Sequence, residues 1–348
     1  MGEVKRTNVV IVGAGASYEF GLPTGKQLLG QLKDALGTSR TTFEDVDWKN
    51  YKIKRAIKSA LEERRLMDVS GSVDLNDYRE ATKLIHGAMD IAPSIDNVLD
   101  THRQNPIVSD VGKIAIAYCL NNAERKSKLW LDDSNIYNRI DFGPASNSWA
   151  AEFFRLIAAK RDYSEFLSAL SEITFISFNY DRCIKQFFVN AAKAYFNLSH
   201  GQLCEVLASL KVIHPYGTLG RLTGDAGQLR GFGQKKDGPA LWHQAQGIST
   251  FTEGSANADL QEEIKGSLRD ARVIFFLGFH FLPLNMELLA TKAFAERVLA
   301  SVYGRSDDTN EILRKELRMY VDGKMNRIFL SDTTCSGLFL EFDRYLQA

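Results

Sequence analysis

A strand that runs directly into a glycine turn constrains this chain more than any other stretch: Asn8-Val-Val-Ile-Val-Gly-Ala-Gly-Ala-Ser17, continuing to Gly21-Leu-Pro-Thr-Gly25. Val9 to Val12 is short, continuous, apolar and β-branched, which suits a strand covered on both faces of a parallel sheet. Gly13 and Gly15 let the backbone turn sharply and approach a ligand without a Cβ in the way. The helix that follows aims its unpaired N–H groups at the space where an anion such as pyrophosphate fits. A tight strand-to-helix turn without a ligand is the other reading of a bare Gly-Ala-Gly.

Two phosphate motifs can be tested on the same residues. The dehydrogenase fingerprint G-x-G-x-x-G places Gly or Ala at position 18, where this chain has Tyr18. The acidic residue that should follow roughly 20 positions later has only Asp34 as a candidate, and Asp34 lies in an amphipathic helical pattern, Leu28 to Leu36, rather than after a second strand. The Walker loop needs Gly at position 20 and Ser or Thr after the lysine, where Phe20 and Gln27 stand. Neither hydride transfer nor phosphoryl transfer is therefore indicated.

With 348 residues the chain has room for two domains, or for one domain with a large insertion. Its 43 Lys plus Arg balance 43 Asp plus Glu, so no charge excess points to nucleic acid or to an anionic membrane. The longest apolar runs, such as Val273 to Phe279, fall far short of the roughly 20 residues of a bilayer span, and no signal-peptide pattern opens the chain. A soluble cytoplasmic protein is expected. Cys119, Cys183, Cys204 and Cys335 are scattered without a C-x-x-C pair, so neither a zinc site nor a disulfide framework is indicated, and the thiols should be reduced and mostly packed.

After the first helix, residues 39–171 read as helical. Ile53, Ile57 and Leu61 recur beside Lys, Arg and Glu, with the Glu62-Glu-Arg-Arg65 run as a solvated face. Similar patterns follow at Tyr78–Ala88, Ile95–Arg103, Val111–Lys128 and Trp149–Lys160, separated by turn formers at Asp132–Asn135 and Gly143-Pro144. Strand patterns resume at Ile173–Phe178, Lys211–His214, Arg272–Leu277 and Arg327–Leu330, with helical segments between most of them. Strands alternating with helices give an α/β fold, a Rossmann-like doubly wound parallel sheet built from residues 1–38 and 172–348 and interrupted by the helical insertion. The Gly-rich stretch Thr223–Gly238 reads as a mobile loop.

Ligands of such sheets sit beyond the carboxyl ends of the strands. Those ends carry Gly13-Ala14-Gly15-Ala16-Ser17, then Ser177-Phe-Asn179-Tyr-Asp181, then His214-Pro-Tyr-Gly217, then Gly278-Phe279. Taken singly, Asn179 reads as a turn or capping residue and His214 as a structural histidine; together at successive strand ends they read as a site.

These motifs resemble the sirtuin-like family: Gly-Ala-Gly-x-Ser with a following Gly-Leu-Pro at Gly21-Leu22-Pro23, then Asn-x-Asp at Asn179-Tyr180-Asp181, then a histidine near a glycine at His214-Pro215-Tyr216-Gly217, in the family order. The likeness covers the α/β half of the chain. It departs in three places. No cysteine pair supplies the four-cysteine zinc module of the protein-deacylating members. Thr24-Gly25-Lys26 replace the residues that follow their Gly-Ile-Pro, and Phe178 replaces the glutamine before Asn179. A zinc-free chain with a helical insertion is similar to the bacterial branch that hydrolyses NAD in anti-phage defence.

The resemblance implies an NAD glycohydrolase that cleaves the bond between nicotinamide and ribose to give nicotinamide and ADP-ribose, with NAD as substrate and no zinc. It assigns His214 as the base that takes a proton from a ribose hydroxyl or water, which an imidazole with an ordinary pKa of about 6.5 suits. It assigns Asn179 to positioning, through a carboxamide that both donates and accepts. Gly13, Ala14, Gly15, Ser17, Gly21, Pro23 and Asp181 would hold the dinucleotide. Gly278 would let the adenosine half approach, although a structural turn explains it equally. Asp96, in Pro93-Ser-Ile-Asp-Asn97, would face the nicotinamide side, and favourable charge at a helix N-terminus explains it as well. His280 adjoins the Gly278 turn; His86, His102, His200 and His243 have no companion motif.

Two other functions fit the motifs: an NAD-dependent protein deacylase, and a non-catalytic sensor that binds NAD or ADP-ribose. Because unrestrained NAD cleavage kills the host, the resemblance also implies a homo-oligomer or a complex with a sensor such as a HerA-like ATPase or an Argonaute-like protein.

Overall fold

A computed structural model describes residues 7–40, 46–67, 73–132, 139–225 and 228–342. Six strands form its central sheet: β1 Thr7–Val12, β2 Ile173–Ser177, β3 Lys211–Ile213, β4 Ala271–Leu277, β5 Arg297–Ser301 and β6 Ile328–Ser331. Every neighbouring pair is parallel, in the order β3-β2-β1-β4-β5-β6. In register, Val10 lies between Phe175 of β2 and Phe275 of β4. Growth of the sheet reverses direction between β1 and β4, and this switch point opens the crevice in which doubly wound folds hold ligands.

The sheet is buried on both faces because its strands alternate between two apolar layers. Val9 and Ile11 enter one core with Leu29 and Leu32 of the Gly25–Ala35 helix, Ile264 and Leu268 of Ala258–Arg269, and Leu313 and Leu317 of Asp307–Leu317. Val10 and Val12 enter the other with Phe187 and Phe188 of Cys183–Phe196, Leu203 and Val206 of His200–Ser209, and Leu338 and Phe339 of Cys335–Glu341. The α/β doubly wound architecture read from the sequence is the observed one. Strand β5 was not foreseen: its apolar stretch is only Val298-Leu299-Ala300, and a run that short has no period to separate strand from helix.

The described helices within residues 39–171 divide between the two faces. The helices Tyr51–Met67, Leu75–Ala88, Ile95–Thr101 and Pro106–Lys126 pack into the Val9 core, whereas Trp149–Ala158 and Tyr163–Ser171 pack into the Val10 core. Their starts are fixed by Asp74, Ser94, Asn105, Ser148 and Asp162, whose side chains accept first-turn backbone N–H groups. A short antiparallel pair, Thr38–Arg40 with Val46–Trp48, precedes them.

The 62–65 charge run is not simply a solvated face. Arg64 holds Asp110 through two bonds of 2.5 and 2.9 Å, and Glu63 accepts from Trp242 Nε1 at 2.5 Å. Nor is the Gly-rich stretch a loose loop throughout: Thr223–Asp225 pairs with Gln228–Arg230, and the Gly233 N–H donates to Glu124 at 2.9 Å. The turn at Asp132–Asn135 lies outside the described residues except for Asp132. Among the described residues no helix is long and apolar enough to cross a membrane.

Candidate active site

The glycine turn is shaped by a second backbone rather than by open space. The Gly13 amide donates to Leu277 O and the Gly15 amide to Gly278 O, both at 3.0 Å. A Cβ on Gly13 would sit 2.5 Å from Gly278 O, and one on Gly15 would sit 2.8 Å from Gly278 Cα. Gly278 itself has φ +54°, and a Cβ there would meet Ala16 N at 2.2 Å. Three glycines thus let the ends of β1 and β4 touch main chain to main chain, which side chains would prevent. The Ala16 amide bonds back to Gly13 O, and Ala14, at the first position of the Ala14–Tyr18 helix, stands on the half-buried rim.

The Asn-x-Asp segment completes this turn from β2. Asn179 is buried, and its Nδ2 donates to Gly13 O and to Ser17 Oγ, both at 2.9 Å. A peptide oxygen only accepts, so this contact fixes which end of the carboxamide faces the turn and leaves Oδ1 as its remaining polar atom. Ser17 also hydrogen-bonds Asp181, whose carboxylate accepts the Cys183 amide at 3.0 Å. Burial raises the Asp181 pKa above the ordinary carboxylate value, against the lowering effect of those two partners. Asn179 and Ser17 therefore spend their donors inside the protein, and the carboxamide offers a ligand an acceptor rather than both functions.

From β3, His214 joins the group through the main chain: its Nδ1 lies 3.1 Å from Asn179 O. Because that carbonyl can only accept, Nδ1 carries the proton and Nε2 bears the lone pair. Burial pushes the imidazole pKa down to about 4; the Asn179 bond opposes this and the nearby Lys185 charge adds to it. The ring is neutral at physiological pH.

Asp96 reaches the same edge from the insertion. It stands in the first turn of Ile95–Thr101 and accepts the Tyr180 hydroxyl, one residue beyond Asn179. Burial raises its pKa, with the Tyr180 bond lowering it. Gly21 and Pro23 are brought less close. Gly21 adopts φ +91° and bonds to Tyr18 O on an exposed rim, and Pro23 is half-buried beside it. His280 is exposed, with its carbonyl accepting from Arg305 at 3.4 Å.

Several supporting residues carry no sequence mark. Glu124 is fully buried and grips Arg182, next to Asp181, through bonds of 3.1 and 2.5 Å. In the sequence it stands beside Arg125 and Lys126 and looks like an ordinary surface charge. Glu19 accepts the Trp149 amide at 2.6 Å and the Ser336 amide at 3.0 Å, while Trp149 Nε1 donates to Ala16 O at 3.1 Å; these bonds clamp the turn from behind. The four cysteines are free thiols, three of them buried, and among the described residues no cluster of His, Cys, Asp or Glu is arranged to hold a metal ion.

No protein-family model matches the chain, and no match is found among curated proteins.

Proposed function

We propose that the chain is a sirtuin-like NAD hydrolase that releases nicotinamide and ADP-ribose. The observation that carries this reading is the hydrogen-bonded series from Gly13 and Ser17 through Asn179 to His214, which draws three motifs distant in sequence onto one sheet edge. Cleavage of an N-glycosidic bond develops oxocarbenium character in the ribose. As that charge grows, the ribose hydroxyls and an incoming water become better proton donors, and the site offers two acceptors: His214 Nε2 and Asn179 Oδ1. Burial, which lowers the His214 pKa to about 4, keeps the imidazole deprotonated throughout the neutral range but makes it a weaker base than the ordinary imidazole expected from the sequence, so it accepts a proton only from a donor acidified by the growing charge. Ala14 at the turn, with Gly15, Gly21, Pro23 and Gly278 around it, would hold the dinucleotide, and Asp96 and Asp181 would border the ribose and nicotinamide.

In this reading the enzyme is cytoplasmic and depletes NAD as an antiviral defence. Its activity is restrained within an oligomer or by a sensor partner. The test is incubation with NAD and chromatographic separation of the products. Asn179→Ala and His214→Ala should each lower turnover by about 10²–10⁴-fold; cleavage that survives both overturns the assignment.

A further inference from the structure

A cleft of about 300 Å³ adjoins the candidate site, sharing His214 and Asp181 with it, between the start of the Cys183–Phe196 helix and the chain after β3. Its polar wall comprises Asp181, Arg182, Lys185, His214, Thr218 and Arg221. The first two are already committed: Asp181 to Ser17 and the Cys183 amide, Arg182 to the buried Glu124. Thr218 donates its hydroxyl to Tyr180 O at 3.0 Å. That leaves Lys185 and Arg221, two cations facing one cleft with no ion pair between either of them and any described carboxylate. Burial, with the repulsion of Arg221 added to it, lowers the Lys185 pKa. Like charges that converge without an ion-pair partner repel, and an anion that joins them relieves the repulsion.

We propose that this cleft binds a phosphate monoester, with Lys185 and Arg221 gripping the phosphate and the aliphatic walls of Ile184, Leu207 and Leu222 against its sugar. The size supports a small ester: the cleft lies at the lower end of the roughly 300–1,000 Å³ range of ligand sites, enough for a sugar phosphate and too little for a whole dinucleotide. Arg supplies a planar fork and Lys a point charge, the usual pairing around a phosphoryl group. The apolar walls set a sugar phosphate apart from free phosphate, which gains nothing from them. The site stands on this geometry whether or not the chain cleaves NAD.

The experiment is equilibrium titration of the full chain by calorimetry with ribose 5-phosphate, inorganic phosphate and unphosphorylated ribose, while the His214 ring signal is followed by NMR. Ribose 5-phosphate should bind best and shift the His214 signal, and ribose should not bind. Lys185→Met and Arg221→Met should each weaken the complex about tenfold or more, with Lys185→Arg retaining most of it. Arg221 is exposed, so its replacement leaves the fold intact and keeps the test decisive even if Lys185→Met is unstable. Absence of binding at millimolar ribose 5-phosphate, equal binding of inorganic phosphate, or affinity unchanged by either Met substitution overturns the proposal.

Discussion

His214 is tied to Asn179 by the main-chain oxygen and not by the carboxamide, through an Nδ1 contact of 3.1 Å. The two residues can therefore be disabled separately. Asn179→Ala removes the bonds to Gly13 O and Ser17 Oγ but leaves the histidine its acceptor. We expect this variant to lose NAD cleavage while its His214 ring titrates as in the parent protein. A His214 titration displaced by a full pH unit in Asn179→Ala would show that the side chain, and not the backbone, holds the imidazole.

The His214 pKa makes a prediction about stability. It is about 4 in the folded protein against an ordinary 6.5, so between these values the unfolded chain binds the proton and the folded chain does not. The group's contribution is whole above pH 6.5 and is lost as pH falls toward 4. Asp96 and Asp181 act in the opposite sense: with raised pKa values they favour the fold while protonated and lose that contribution as pH rises through their folded values. Urea midpoints measured from pH 7 to pH 4 should fall less steeply for His214→Asn than for the parent; parallel curves would mean the histidine is not buried in its neutral form.

Substitution at the β1–β4 contact should be severe. In Gly278→Ala the new methyl would lie 2.2 Å from Ala16 N and 2.4 Å from Gly15 C, at a φ of +54°. Overpacking and left-handed strain together should cost roughly 3 kcal/mol or more. Gly304→Ala is the control: its φ is +71° with nothing within 4 Å, so only the backbone penalty of about 1 kcal/mol applies. Equal losses in chemical denaturation would refute the backbone-contact account.

The bond between Tyr180 and Asp96 joins the insertion to the sheet edge. Tyr180→Phe removes the carboxyl's side-chain partner, leaving only the bond to its own backbone amide, and should destabilise by about 1–3 kcal/mol, whereas Asp96→Asn keeps an acceptor for the hydroxyl and should cost less. If denaturation midpoints rank the two variants the other way round, the hydroxyl is not what satisfies Asp96.

Much of this was legible in the chain. The β-branched and aromatic runs of β1, β2 and β4 announced themselves because strands covered on both faces need no polar alternation. Gly13, Asn179, Asp181 and His214, which follow β1, β2 and β3, could be grouped from the sequence because a parallel sheet brings its strand ends to one edge. What stayed hidden depends on partners far away in sequence. Nothing near Gly13 says that its absent Cβ faces Gly278, and nothing near Lys185 says that Arg221 shares its cleft. The site's inward economy was equally unreadable: sequence lists what Ser17 and Asn179 can donate, and only the fold reveals that they donate to each other and to the turn.

Glu124 carries a consequence for how the chain can be cut and rebuilt. Its carboxylate serves the Arg182 guanidinium and the Gly233 amide at once, so the end of the Pro106–Lys126 helix, the turn after β2 and the stretch following Gln228–Arg230 meet at one anchor. A shortened protein that spliced residue 38 to residue 172 would leave the buried Arg182 guanidinium without the Glu124 carboxylate that pairs with it. The insertion is therefore no detachable cassette: a minimal version of this scaffold must either keep Glu124 in place or replace Arg182 and Glu124 together with apolar side chains of matched volume.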